Sequence, residues 1–388
     1  MTEYELGVEE RAIVETVRDF VDRQVRPVVR ELEHADTYPE DLIDQMKRLG
    51  IFGLAIGRPY GEAEVSTSCY ALVTEELARG WMSLAGAMGG HTVVAKLIQS
   101  YATDEQKDRY LAAMATGQIR ATMALTEPGG GSDLQAIRTT ARGDGEDYVV
   151  TGQKTWTTLA QHADWIFVLV RTDPDAPKKQ QGISFLLIDM ATPGVSVRPI
   201  ELIDGGHEVN EVFFDQVRVP AANLVGQENR GWDYAKFLLG NERVGVAPTG
   251  QTKALLARAK SYAADSLADG TTLLDDPLVA TRIAALENDL LALELTQLRV
   301  VANSEEGKPH PASSVMKLRG TELQQEVTEL VVDLAGPQSV ASFAGDDSEL
   351  PEWVKVATPT YLNYRKASIY GGSNEVQRTI IATSILGL

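Results

Sequence analysis

The sequence predicts an α+β protein that is mostly helical and is built from three consecutive units. Apolar residues recur at helical spacing up to about residue 117, short β-rich runs fill about 120 to 225, and helical periodicity returns after Gly231. We therefore expect an N-terminal helical domain at 1–118, a middle antiparallel β domain at 119–228 and a C-terminal helical bundle of four-helix type at 229–388. A chain of 388 residues is long enough for two or three such units.

The first unit reads as a series of helices. Ile13, Val17 and Phe20 share one helical face, Arg26-Pro27 predicts a kink, and Gly50 predicts an end. Further helices are predicted over 66–79, 84–100 and 104–116. Thr103 or Asp104 can cap the last of them.

The middle unit is predicted to be a sandwich or barrel of short strands. Its β-rich runs, at 148–150, 165–170, 183–188 and 211–214, alternate with Gly, Pro and Asp turns.

The last unit reads as long helices at about 232–267, 276–303 and 312–334, the last one followed by Gly336-Pro337. Residues 282–298 are apolar around much of the helix circumference. This pattern is typical of a helix in its own core or at a subunit contact, and both interpretations remain open.

Charge and cysteine content narrow the function. With 55 acidic and 36 basic residues the formal net charge is −19, which argues against a nucleic-acid or anionic membrane surface. The single cysteine, Cys69, excludes an intramolecular disulfide and fits a cytoplasmic protein. The acidic N-terminus and the short apolar runs predict neither a signal peptide nor a membrane span. Five scattered histidines predict no metal site.

One loop and one strand have the composition of a ligand site. Three glycines, 129–131, leave backbone N–H groups accessible, and hydroxyls at Thr126 and Ser132 flank them. Downstream, Trp156 and Thr158 share a strand face, as a flat redox ring lying against a sheet would require. A plain glycine-rich turn is the alternative. The patterns of a P-loop and of a dinucleotide-binding glycine motif do not match.

The same residues resemble the acyl-CoA dehydrogenases, FAD-dependent enzymes that desaturate acyl-CoA thioesters. ALTEPGGGSD (124–133) is similar to the first signature of that family, and the likeness extends over nearly the whole chain. From about Lys154 it is closest to the large subunit of pimeloyl-CoA dehydrogenase, through KTWTTLAQHADWIF, IDGGHEVNEVFF, GWDYAKFLLGNER and SIYGGSNEVQR. The resemblance implies an FAD cofactor between the sheet and the C-terminal helices.

The resemblance also locates the catalytic base. Many members carry it at the position of Gly371, where this chain has no carboxylate. Isovaleryl-CoA dehydrogenase has it on the helix that opens the C-terminal bundle, which here contains Glu242 and Arg243. A charge in this apolar segment is costly unless it is paired or used. We expect Glu242 as base, with Arg243 and Ser132 contacting substrate. A surface turn of the helix is the alternative.

The backbone N–H of Gly371 is expected to hold the thioester oxygen, because a backbone donor needs no particular side chain. The resemblance implies FAD contacts from two loops and one strand, namely Leu125, Thr126, Gly131, Ser132, Trp156, Thr158, Ser373 and Glu375.

Two departures from the family concern the partner. Residues 266–272 lack an arginine that reaches a neighbouring flavin in many homotetramers, and 333–337 replace a glutamine and double glycine. We expect a tetramer, either a homotetramer or an α2β2 assembly with a second dehydrogenase-like chain.

The expected reaction is dehydrogenation of an acyl-CoA to the trans-2-enoyl-CoA, with electrons passed to an electron-transfer flavoprotein. Two alternatives stay open, an acyl-CoA oxidase that uses oxygen and a non-catalytic acyl-CoA-binding subunit.

Overall fold

A computed structural model describes residues 6–35, 37–62, 65–246, 249–265, 270–303, 310–344 and 350–388. Its element order confirms the predicted fold class of helices, then strands, then helices. The helices before the sheet are α1 Val8–Phe20, α2 Val29–His34, α3 Glu40–Arg48, α4 Thr67–Gly80, α5 Met82–Tyr101 and α6 Asp104–Ala115. The helices after it are α7 Gly231–Val246, α8 Thr249–Ala264, α9 Pro277–Ala302, α10 Ser313–Ala335, α11 Pro337–Ala344, α12 Glu352–Asn363 and α13 Asn374–Ile381.

The strands form one sheet in the order β6-β7-β3-β2-β4-β5-β8, with β1 paired to β4. Their bounds are β1 Ala121–Ala124, β2 Thr140–Asp144, β3 Asp147–Thr158, β4 Trp165–Arg171, β5 Ile183–Asp189, β6 Val195–Ile200, β7 Val209–Pro220 and β8 Leu224–Val225. The sheet is mixed rather than wholly antiparallel, because β1 runs parallel to β4. The β2–β3 hairpin lies between these two strands in the chain, so both can run in the same direction.

The continuous apolar runs of β4 and β5 reflect burial on both faces. Phe167 and Phe185 pack with residues of α5 and α6, whereas Ile166 and Val168 pack with Val212 and its neighbours on β7. A strand covered on both faces has no polar side to alternate with the apolar one.

Gln106 joins the first helices to the sheet. Its backbone and side chain complete a capping box with Thr103 at the start of α6. Its Nε2 also donates to the carbonyls of Ala222 and Leu224, at 2.7 and 2.8 Å. One buried side chain therefore starts a helix and docks it on the strand β8.

The helix predicted over 232–267 corresponds to α7 and α8, and residues 247–248 between them lie outside the described residues.

The long helix α9 contributes one face to the core of its own chain. Ile283, Leu286, Leu290 and Leu293 are buried there with residues of α8 and α10. Its other face exposes Leu278, Leu291 and Leu295, at 79%, 54% and 53%. Core packing and an outward apolar surface therefore coexist on this helix. No helix in the described ranges has the length and hydropathy to cross a membrane.

His91 on α5 is buried with one ring nitrogen bonded and the other without a partner. Its Nε2 donates to the Met114 carbonyl at 3.0 Å, while Nδ1 is buried without a partner. Burial lowers the pKa of His91 to about 4, so the native ring stays neutral while an unfolded one takes up a proton below about 6.5.

We expect the free energy of unfolding to fall as the pH is lowered from 7 to 5, with His91 contributing a loss of about 2 kcal/mol. A His91→Gln variant, which keeps a donor for Met114, should lose that much less over the same interval. Urea unfolding at the two pH values measures the difference, and equal losses in both proteins would contradict the assignment.

Candidate functional site

The strand β3 ends in a bulge that exposes a tryptophan. Lys154 pairs with Val212 and Thr157 with Asn210, so β3 holds one more residue than β7 over this interval. Trp156 lies in the bulge with a φ of 60°, in the left-handed region, and is 56% exposed. Thr157 is buried, whereas Trp156 and Thr158 are both exposed. A strained aromatic presented outward points to a ligand.

The glycine-rich loop is bound directly to this strand. Glu127 and Gly130 exchange backbone hydrogen bonds at 3.1 and 3.0 Å, which closes a tight turn. The Thr155 N–H donates to the Thr126 carbonyl at 2.9 Å. Gly131 and Ser132 are exposed and Thr126 is half-buried. The predicted loop and strand residues therefore lie in one region.

A buried ion pair fixes the loop from within. The Lys154 ammonium donates to Glu127 Oε1 at 2.8 Å and to the Leu125 carbonyl at 3.1 Å, and Lys154 is fully buried. Glu127 also accepts from the backbone N–H groups of Arg138 and Thr139, at 2.6 and 2.9 Å. The carboxylate thereby organises both ends of the loop.

Both members of this pair are charged at neutral pH. Burial pushes the pKa of the Glu127 carboxyl upward, but Lys154 and the hydrogen bonds it accepts outweigh burial and hold that pKa below its usual range. Burial lowers the pKa of Lys154 to about 8, against the attraction of Glu127. Neither side chain was predicted to belong to the site. Their signal in the sequence was a charged residue in each of the two site motifs, Glu127 in the glycine-rich loop and Lys154 before Trp156.

The C-terminal motif forms a glycine turn held by a buried amide. Gly371 and Gly372 have φ values of 62° and 83°, which favour glycine. The fully buried Gln377 donates from Nε2 to their carbonyls, at 3.4 and 3.2 Å. A Cβ on Gly372 would lie 2.5 Å from that nitrogen. Ser373 caps α13 through the Val376 N–H, at 3.4 Å.

Lys317 braces the same turn from α10. It is fully buried and donates to the Ala367 carbonyl at 3.1 Å and to Asn374 Oδ1 at 3.2 Å, on either side of the two glycines. Burial lowers the pKa of Lys317 to about 8. Glu375 is exposed at the start of α13.

Glu242 and Arg243 lie within α7, but their side chains lie outside the described part of the structure. The helix itself is well anchored. Tyr234 and Phe237 pack on Tyr101 of α5, with ring centroids 4.5 and 5.3 Å apart. The backbone of α7 therefore runs beside α5.

The residues present suit a flat, polar, anionic cofactor. An exposed indole, two accessible hydroxyls (Thr126 and Ser132) and exposed loop backbone offer stacking and hydrogen bonds of both kinds. The described residues contain no cluster of three or more His, Cys, Asp or Glu side chains able to hold a metal ion.

Comparison with known proteins agrees with this geometry. Models of the acyl-CoA dehydrogenase N-terminal, middle and C-terminal domains match residues 8–118, 122–217 and 229–386. The chain is 34% identical to acyl-CoA dehydrogenase FadE26 of Mycobacterium tuberculosis, over 90% of this chain and 87% of the relative.

Two solved structures extend the likeness. One is an acyl-CoA dehydrogenase from Geobacillus kaustophilus, 30% identical with a TM-score of 0.90 over the whole of both chains. The other is a chain of the ChsE4-ChsE5 complex from Mycobacterium tuberculosis, 30% identical with a TM-score of 0.84 over 99% of this chain and 98% of that one.

Fold and site together are those of a flavin-dependent oxidoreductase. The chain belongs to the acyl-CoA dehydrogenase family, and its cofactor is FAD.

The buried pair predicts a specific stability pattern. Lys154→Met leaves the Glu127 carboxylate buried without its counter-ion and should lower the free energy of unfolding by about 3–5 kcal/mol. Adding Glu127→Gln, which removes the buried charge and can still accept from one of the two backbone N–H groups, should recover part of that loss. Urea unfolding of the single and double variants tests this, and a double variant no more stable than Lys154→Met would refute it.

Proposed function

We propose that the protein catalyses FAD-dependent α,β-dehydrogenation of an acyl-CoA thioester to the trans-2-enoyl-CoA. The observation that carries the proposal is the exposed Trp156 on a strained bulge, hydrogen-bonded through its neighbour Thr155 to the glycine-rich loop. Membership of the acyl-CoA dehydrogenase family supports the same reaction class.

Glu242 is the proposed base. Its carboxylate takes the α-proton of the thioester, and the α,β double bond forms as the β-hydrogen leaves with its electron pair. FAD, when bound, supplies the hydride acceptor that no side chain provides. The packing of Tyr234 and Phe237 on α5 anchors the first part of the helix that carries Glu242. Arg243 and Ser132 are the proposed substrate contacts.

The backbone N–H of Gly371 is the proposed donor to the thioester oxygen, where negative charge develops as the α-proton leaves. A donor of this kind typically contributes about 3–4 kcal/mol to the transition state. Gln377 and Lys317, which hold the glycine turn, support a preorganised backbone here.

The proposed FAD contacts are the residues predicted from the sequence, namely Leu125, Thr126, Gly131, Ser132, Trp156, Thr158, Ser373 and Glu375. The domain limits 1–118, 119–228 and 229–388 likewise stay a prediction.

We propose an electron-transfer flavoprotein as acceptor and a tetramer as the assembly. The outward leucines of α9 support a further protein contact. The two-chain ChsE4-ChsE5 complex supports an α2β2 assembly with a second dehydrogenase-like chain, and a homotetramer is the alternative.

Glu242→Gln should retain the yellow FAD but lose bleaching by acyl-CoA, because an amide cannot take the α-proton. Anaerobic flavin absorbance with a panel of saturated acyl-CoA thioesters measures this. Glu287→Gln, an exposed site on α9, is the control. Full bleaching of the Glu242→Gln protein would overturn the assignment. Hydrogen peroxide released by the wild type under air would point to an acyl-CoA oxidase.

Trp156→Ala should weaken FAD binding about tenfold, because an aromatic ring contact of about 0.5–1.5 kcal/mol and its buried area are lost. Trp156→Phe retains a ring and should lie between the two. Fluorescence titration of the apoprotein with FAD gives the dissociation constants. Equal affinity in the wild type and in Trp156→Ala would count against the role.

A further inference from the structure

The connection between β6 and β7 touches both sides of the proposed cofactor region. At its end, the Glu208 carbonyl accepts from the Leu159 N–H at 2.9 Å. Leu159 directly follows Thr158, so this bond fixes Glu208 to the end of the strand that presents Trp156 and Thr158. The β6–β7 connection is therefore bonded directly to the end of β3.

The same connection reaches the C-terminal unit. The Lys366 ammonium donates to Glu208 Oε1 at 2.6 Å, and Asn363 donates to Asp204. Lys366 lies in the 3₁₀ turn Tyr364–Ser368, five positions before Gly371. The ion pair thus links the β3 end to the segment that leads into the glycine turn.

The 3₁₀ turn is itself fixed on its far side. Gln325 of α10 donates from Nε2 to the carbonyls of Tyr364 and Arg365, both at 3.1 Å. The Arg365 guanidinium donates back to the Gln325 carbonyl at 2.9 Å. The turn that carries Lys366 is therefore held by α10 on one side and by Glu208 on the other.

We propose that Glu208 and Lys366 are a positioning pair that sets the spacing between the strand end carrying Trp156 and the turn at Gly371. The inference rests on the proposed function, since this spacing determines how the flavin ring and the thioester oxygen are held relative to each other. The two side chains are 37% and 34% exposed. A pair this exposed contributes little to global stability, so an effect on the cofactor can be separated from unfolding.

The test uses Glu208→Gln, Lys366→Met and the charge-reversed double variant Glu208→Lys with Lys366→Glu. Arg218→Gln is the control. It removes an exposed ion-pair network with Asp144 and Asp147, at the opposite end of β3. The measurements are the melting temperature, the FAD dissociation constant of the apoprotein, and the anaerobic rate of flavin reduction by an acyl-CoA that bleaches the wild type.

We expect both single variants to bind FAD about threefold to tenfold more weakly and to reduce it about tenfold more slowly, with a melting temperature within about 3 °C of the wild type. The double variant should return to within about threefold of the wild-type FAD affinity and reduction rate. The Arg218→Gln control should match the wild type in all three measurements.

Single variants with wild-type affinity and rate would overturn the inference. So would a double variant no better than either single one, because the effect would then not come from the pair. If no acyl-CoA bleaches the wild type, the proposed function fails instead. In that case FAD affinity and its rescue by charge reversal decide on the pair alone.

Discussion

The contact between Lys154 and Glu127 is the constraint on which the candidate site depends. A loop with three consecutive glycines has little intrinsic preference for one conformation. Here a buried carboxylate accepts from one ammonium and two backbone N–H groups, and that ammonium also binds the Leu125 carbonyl. Removing either charge would leave the other buried and unpaired, so the loop and the strand end form one unit.

A second set of polar contacts fixes the opposite part of the site. Lys317 and Gln377 bond to the backbone around Gly371 and Gly372 from within the C-terminal helices. Backbone groups that serve as binding elements must be rigid, since they have no rotamer to adjust. Both parts of the proposed site therefore consist of backbone fixed by buried polar side chains.

Much of the fold could be predicted from the sequence, because the spacing of apolar residues indicates which side chains are buried. The ends of α6 and α10 follow local rules. The parallel pairing of β1 with β4 depends on contacts distant in sequence, which no local pattern encodes.

The residues of the candidate site also fall into those that a local sequence pattern predicts and those that depend on contacts distant in sequence. The glycine loop, Trp156 and the Gly371 turn are contiguous motifs, so a family resemblance locates them. The ion pairs of Lys154 with Glu127 and of Lys366 with Glu208 join residues 27 and 158 positions apart. Each of these side chains alone reads as an ordinary surface charge. Burial distinguishes Lys154 and Glu127 from surface charges. Lys366 and Glu208 are distinguished by their position between the middle and C-terminal units.

The contacts of Gln106 with the segment around β8 restrict which residue types this position of the capping box can accept. A capping box accepts glutamate as readily as glutamine at this position. In this chain the amide nitrogen faces two carbonyl oxygens of the segment around β8, while the amide oxygen accepts from the Thr103 N–H. A carboxylate would satisfy the helix start and repel both carbonyls. Natural variation at this position should therefore favour the amide, even though helix-start preferences alone would allow the acid.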